Sequence, residues 1–242
     1  MGNFFSAVMT KDKICSEFGV NSHKDIIAIH GLREGVGRTN FVLIEMLPPS
    51  PMHLRFDEWR FKVDQDIVPD WFDATDAKAK MIRHMESLPK IAEDIEVFAG
   101  RAYFCTARVG RMVGSAAISF AFDNASVGEM YGNASVDWMY DNASVGGVYD
   151  NASVDRVHGN ARVGAVYGNA RVGEMYDNAS VDRVYGNARV GLVHGYARVD
   201  RVYDNARLGA MLGLANLVND MRARNVRNAE IAAGRWAKKD GA

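Results

Sequence analysis

Five arginines recur at multiples of nine residues: Arg162, Arg171, Arg189, Arg198 and Arg207. A guanidinium is planar, permanently charged, and presents a fork of donors matched to a carboxylate or phosphate. A regular row of such groups is chemistry for an acidic partner. Earlier in the chain the same position holds Ser126, Ser135, Ser144 and Ser153, and Ser180 interrupts the arginine run. A stacked arginine column repels itself, and solvation alone does not require it. Two readings stand level: a binding surface, or a row compensated by nearby aspartates. The pairs Asp155-Arg156, Asp182-Arg183 and Asp200-Arg201 read as self-neutralised surface corners.

Other reactive residue types fit structural roles better. His158 and His194 take places otherwise held by tyrosine in the repeat. His23, His30, His53 and His84 show no metal-ligand spacing and no triad with a nearby Ser or Cys, so neither a metal nor a cofactor is expected. Intermittent aspartates (Asp123, Asp141, Asp150, Asp177 and Asp204) fall short of the Gly-Gly-x-Gly-x-Asp pattern of calcium-binding nonapeptide rolls. Gly35-Val36-Gly37-Arg38-Thr39 lacks the first glycine and the lysine of a phosphate-cradling loop. The Asn-Ala-Ser tripeptides beginning at Asn124, Asn133, Asn142, Asn151 and Asn178 read as corners rather than glycosylation sites. Met1-Gly2-Asn3-Phe4-Phe5-Ser6 fits a myristoylation template, but the same residues serve as the start of a first strand. Asp64, Asp66, Asp70 and Asp73 gather near Trp59 and Trp71, the one place where a catalytic reading competes with a solvated loop.

The elements that position these residues follow from a nine-residue period. Alanine recurs from Ala107 to Ala215. Val, Ile or Leu follows two residues later, mostly Val or Met five residues later, and then an aromatic such as Tyr131, Tyr140 or Tyr149. Gly-Asn or Asp-Asn precedes each alanine, and Gly or Asp follows the valine. These residue types accept positive φ and close turns. Two breaker positions per nine residues exclude a helix, and the strands are too short for a meander of hairpins. Stacked coils satisfy both limits, with equivalent residues roughly 4.8 Å apart in ladders. Nine residues enclose too little apolar volume, so two repeats are expected per coil. The parity of His158 and His194, which fall in one column around Tyr176, supports this. Twelve repeats then give six coils.

The rest of the chain lacks the repeat. Strands are expected from Phe4 to Thr10 and Ile14 to Phe18, then a helix capped by Ser22 and ending near Gly31. A strand from Phe41 to Leu47 precedes Pro48, and Trp59, Phe61 and Val63 alternate as another. A second helix runs from about Asp76 to Leu88. Beyond Leu212 the repeat decays. A helical cap is expected there, with a basic tail (Arg222, Arg224, Arg227, Arg235, Lys238 and Lys239).

The fold class is therefore mainly β: a parallel β-solenoid of nonapeptide repeats, two per coil. An α+β domain over residues 1–100 caps it, the solenoid occupies residues 101–212, and the cap residues 213–242. The stretch Trp59-Arg60-Phe61-Lys62-Val63-Asp64-Gln65-Asp66, with Pro69-Asp70-Trp71-Phe72, resembles a segment of uncharacterised bacterial and phage proteins in which a similar module precedes tandem GNARV-type repeats. That resemblance covers roughly residues 1–90 and implies a prokaryotic or phage source and this two-part layout. It implies no activity.

Bulk properties limit the function. A net charge of −1 gives no general field for nucleic acid or acidic lipid. Only two cysteines, far apart, speak against a disulfide framework and for a reducing cytoplasmic setting. No apolar run reaches membrane-spanning length, and the first ten residues lack the basic and apolar pattern of a secretion signal. The expected function is a non-enzymatic interaction module that binds a host protein or another acidic macromolecule through the five arginines. Nucleic acid is less favoured, and self-association stays open. The alternative places an enzyme or toxin activity in the amino-terminal domain, with the solenoid as its stalk.

Overall fold

A computed structural model describes residues 5–33 and 40–222, and the chain divides into two compact units, residues 1–90 and 91–242. The first unit is a small antiparallel sheet with two helices. Strands β1 (Phe5–Thr10), β2 (Ile14–Cys15), β3 (Phe41–Leu47) and β4 (Arg60–Val63) pair in the order β2-β1-β3-β4. Helix α1 (His23–Ile29) begins at Ser22, whose side chain accepts from the Asp25 N–H, and the chain leaves it through Gly31 at φ +62°. Helix α2 (Ala74–Ser87) is capped by Asp73 and buries Ala77, Met81 and Met85, spaced i, i+4 along one face. Residues 1–4 and 34–39, which hold the lipidation template and the glycine-rich segment, lie outside the described residues.

The second unit is a parallel β-solenoid with two repeats per coil. Val127 pairs with Val109 and Val145, and Val136 with Ile118 and Val154, so equivalent residues are eighteen apart. Alternate repeats therefore belong to two eight-stranded sheets. We call sheet I the one containing Ser126–Met130, Ser144–Val148, Arg162–Val166, Ser180–Val184 and Arg198–Val202. Sheet II contains Ser135–Met139, Ser153–Val157, Arg171–Met175 and Arg189–Val193. Alanine, valine and the Val/Met position of every regular coil point inward and form one continuous apolar core from Ile91 to Ala206.

Coils extend past both expected boundaries. The strand at Ile95–Phe98, ahead of residue 101, already belongs to sheet I, and Asn216–Asp220 adds a last strand to it. The stack has about seven turns rather than six. The early coils escape the nine-residue pattern because they are short. Ile95 pairs with Val109, fourteen residues on, and Ala102 with Ile118, sixteen on. Asn216–Asp220 is strand where a helical cap was expected to have begun. Residues 223–242, which carry most of that cap and its basic tail, lie outside the described residues.

The corners explain the choice of Gly or Asp before each asparagine. That position has positive φ in every regular coil, as Gly132, Gly159 and Gly186, or as Asp123, Asp141, Asp150, Asp177 and Asp204 with φ between 53° and 57°. Glycine takes this conformation without strain, and aspartate is among the few other residues found there.

Candidate functional site

The two-sheet arrangement splits the five arginines. By their nine-residue spacing alone they form one column. Because a coil is eighteen residues, they alternate between the sheets. Arg171 pairs with Arg189, and Arg189 with Arg207, on sheet II, an unbroken stack of three. On sheet I, Arg162 pairs with Ser180 and Ser180 with Arg198, so serine separates the two charges.

All five are exposed. Arg198 Nε lies 3.2 Å from Asp200 Oδ1. Among the described residues, no acid lies within ion-pairing distance of Arg162, Arg171, Arg189 or Arg207. The expected compensation by corner aspartates is thus realised at one arginine of the five.

The self-neutralised dipeptides also resolve differently. Arg156 makes its direct ion pair with Glu174 in the next coil, at 3.1 Å, while its guanidinium carbon sits 4.3 Å from the Trp138 ring centre. Adjacent residues of a strand face different ways, so Asp155 and Arg156 form no direct ion pair although the arginine's charge still lowers the Asp155 pKa against its burial.

Beside Arg162, Ser180 and Arg198 runs a ladder of corner residues, Asn142, Asn160 and Asn178, continued by Tyr196. Together they line an open polar groove of about 650 Å³. The Asn178 amide donates to Asn160 Oδ1 at 3.4 Å, so the side chains stack in register. Tyr196 replaces asparagine in this ladder and is 66% exposed.

Two aromatic ladders flank the sheets. Tyr131, Tyr149, Tyr167, Tyr185 and Tyr203 stack without interruption, with ring centres 4.6–5.0 Å apart and planes within 11° of parallel. The other ladder holds both histidines, as their spacing required. Tyr140, His158 and Tyr176 stack at 5.0 and 4.7 Å, and His194 follows at 6.0 Å with a tilted ring. Burial pushes the His158 pKa down despite the nearby Asp177, so the neutral ring is favoured. It serves as an aromatic slab.

In the amino-terminal unit the expected carboxylate cluster does not assemble as a group. Asp73 caps α2, Asp66 and Asp70 are exposed, and Asp64 alone joins other charged groups. Its Oδ1 accepts from Lys62 Nζ at 2.7 Å, and the same ammonium reaches Glu45 Oε2 at 3.2 Å. His23 Nδ1 lies 3.6 Å from Asp64 Oδ2. Lys62 holds the Asp64 carboxyl below the usual range by hydrogen bonding. Sequence spacing gave no sign of this cluster, because α1, β3 and the end of β4 supply its members from separate stretches. Alternation did contain one signal: Glu45 interrupts the apolar run Phe41–Leu47 at a strand centre, and it is 1% exposed.

A second pairing joins residues 68 apart, with no local pattern to mark it. Ser16 Oγ and His84 Nε2 are 2.8 Å apart. Burial lowers the His84 pKa. Among the described residues no acid orients the imidazole, so the pair lacks the third member of a hydrolytic triad. Among the described residues no helix is long and apolar enough to cross a membrane. Protein-family models, curated proteins and solved structures all yield no match to this chain.

Proposed function

We propose that this chain is a non-enzymatic interaction protein of phage or prophage type, whose solenoid holds an acidic host macromolecule in the cytoplasm. The partner class favoured is a protein bearing closely spaced carboxylates. One observation carries the reading: Arg171, Arg189 and Arg207 stack on consecutive coils of sheet II, exposed and without an acid partner among the described residues. Such a column repels itself at coil spacing. A carboxylate-rich partner converts that repulsion into forked, charge-assisted hydrogen bonds. The coils hold the guanidinium stems in register, so little order is lost on docking.

Affinity capture from a host lysate tests this, comparing the wild type with the triple variant Arg171→Ser, Arg189→Ser, Arg207→Ser. Serine occupies the equivalent position in four earlier repeats and should preserve the fold. A specific partner is expected with the wild type alone, released by salt and by polyglutamate. Equal recovery by both proteins, or no specific partner, removes this surface from consideration. Competition by DNA but not by polyglutamate would move the partner to nucleic acid.

A further inference from the structure

The cluster around His23 lies outside the surface just described and has a chemistry of its own. His23 is the first residue of α1, Glu45 lies in β3 inside the sheet, and Asp64 follows edge strand β4. One potential ligand atom from each lies within 4.8 Å of the others. His23 Nε2 is 3.1 Å from the Ile44 carbonyl oxygen. A carbonyl only accepts, so Nε2 carries the proton and donates. In the neutral ring Nδ1 is then a bare lone pair, aimed at Asp64 Oδ2 3.6 Å away. Two acceptors facing one another are satisfied only when a proton or a metal cation stands between them. A backbone carbonyl fixing the tautomer of an imidazole is the usual support behind a metal-ligating histidine.

Protonating His23 would satisfy Asp64 but not Glu45. The Glu45 side chain is 1% exposed, and its Oε1 has no hydrogen-bond partner among the described residues. A buried carboxylate oxygen without a donor is costly. With His23 neutral, Lys62 supplies one positive charge for the two carboxylates, so one negative charge is left over. The Lys62 side chain is 44% exposed and the Asp64 side chain 36%, which leaves this side of the cluster open to solvent.

We propose that His23, Glu45 and Asp64 bind a divalent transition-metal ion, with Lys62 as the counter-ion that holds the empty site and swings to solvent when the metal enters. One nitrogen and two carboxylate oxygens suit Zn²⁺ or Mn²⁺ better than Mg²⁺, which favours an all-oxygen shell. Zinc ligands stand about 2.0–2.2 Å from the ion, so the three side chains close inward by rotation. The exchange replaces one ammonium charge by two and neutralises both carboxylates. Three protein ligands leave a position for water on the solvent side. The ion would tie α1 to two strands of the sheet.

The test is calorimetric titration of the chelator-treated full chain with Zn²⁺, Mn²⁺ and Mg²⁺ at pH 7.5. One Zn²⁺ per chain is expected, with weaker Mn²⁺ and no Mg²⁺ binding. His23→Ala should raise the Zn²⁺ dissociation constant more than about 100-fold, beyond the 10- to 100-fold of outer-shell changes. Lys62→Met removes the competing ammonium and should bind Zn²⁺ more tightly than the wild type. Equal binding by wild type and His23→Ala would assign the ion to another site. Failure of folded Lys62→Met to bind would leave Lys62 as the permanent cation and overturn the proposal. X-ray absorption at the zinc edge of the loaded wild type does not depend on variants folding. It should show a single imidazole with oxygen ligands, and a shell without imidazole overturns the assignment.

Discussion

Asp177 Oδ2 accepts a hydrogen bond from the backbone N–H of Gly159, the equivalent corner one coil earlier, at 3.1 Å. The same bond joins Asp150 to Gly132 at 3.0 Å, Asp204 to Gly186 at 3.1 Å, and Asp141 to Asp123 at 3.4 Å. Asp141, Asp150, Asp177 and Asp204 are therefore coil-to-coil staples. Each accepts the strain of positive φ in return for satisfying an N–H that glycine would leave to water.

This ranks substitutions at Asp177. Asparagine tolerates the same φ and retains an acceptor, so Asp177→Asn should cost least. Glycine relieves the backbone but loses the bond, a loss of about 1 kcal/mol. Alanine loses the bond and bears more left-handed strain than aspartate, whose short polar side chain suits that conformation, so Asp177→Ala should cost about 1–3 kcal/mol, more than glycine. Urea denaturation of the three variants checks the order Asn, Gly, Ala; alanine equal to glycine would remove the backbone argument.

The solenoid was readable in sequence because each coil reuses one solution. Small Ala at the tight corner, β-branched Val in the strand and Gly or Asp at the turn repeat until no other fold fits. Parity of His158 and His194 even indicated the eighteen-residue coil. The same parity divides the arginines: once coils hold two repeats, Arg162 and Arg171 belong to different sheets. The staples were hidden for a related reason, since they join residues eighteen apart through side chains whose periodic value is only that of a turn former. The cluster of His23, Glu45, Lys62 and Asp64 was illegible because long-range pairing of β3 with β1 and β4 brings it together, and no local pattern encodes that register.

The tyrosine ladder should contribute through ring stacking more than through its hydroxyls. Tyr167 lies between Tyr149 at 5.0 Å and Tyr185 at 4.8 Å, with planes parallel within 2°. Each stacked pair contributes about 0.5–1.5 kcal/mol beyond area burial. Tyr167→Ala should therefore destabilise by about 2–4 kcal/mol, and Tyr167→Phe by less than about 0.5 kcal/mol. Thermal melts separate the two cases, and a large cost for phenylalanine would assign the effect to the hydroxyl.

The corner alanines fill space that admits nothing larger. Ala161 is fully buried in the continuous core, as are Ala143 and Ala179 one coil to either side. Overpacking a close-packed interior costs about 1–3 kcal/mol per site. Ala161→Leu should reach the upper end of that range, because coil spacing is fixed by hydrogen bonds from Arg162 N–H to the Ala143 oxygen and from Ser180 N–H to the Ala161 oxygen. Hydrogen exchange should report faster opening of those two amides in the variant, and unchanged protection would show that the corner holds spare volume.

Asp137 gives the solenoid a penalty at neutral pH. Burial, followed by the charge of Asp155 in the next coil, raises its pKa to about 6, and Ser119 and Arg156 offset this only in part. Its Oδ2 has no hydrogen-bond partner among the described residues. The folded state thus binds a proton more tightly than the unfolded chain, whose carboxyl titrates near 3.8. Between pH 3.8 and 6 the native state holds more protons, so this group's contribution falls as pH rises. A shift of about two units corresponds to about 3 kcal/mol at full strength, and partial exposure reduces it. Asp137→Asn should therefore be more stable than the wild type at pH 7.5 by about 1–3 kcal/mol, with the difference vanishing at pH 3.5. Asp155→Asn should lower the Asp137 pKa and recover part of the gain. Denaturant titrations at both pH values check this, and a wild type that equals Asp137→Asn at pH 7.5 would mean that the carboxylate is adequately solvated between its coils.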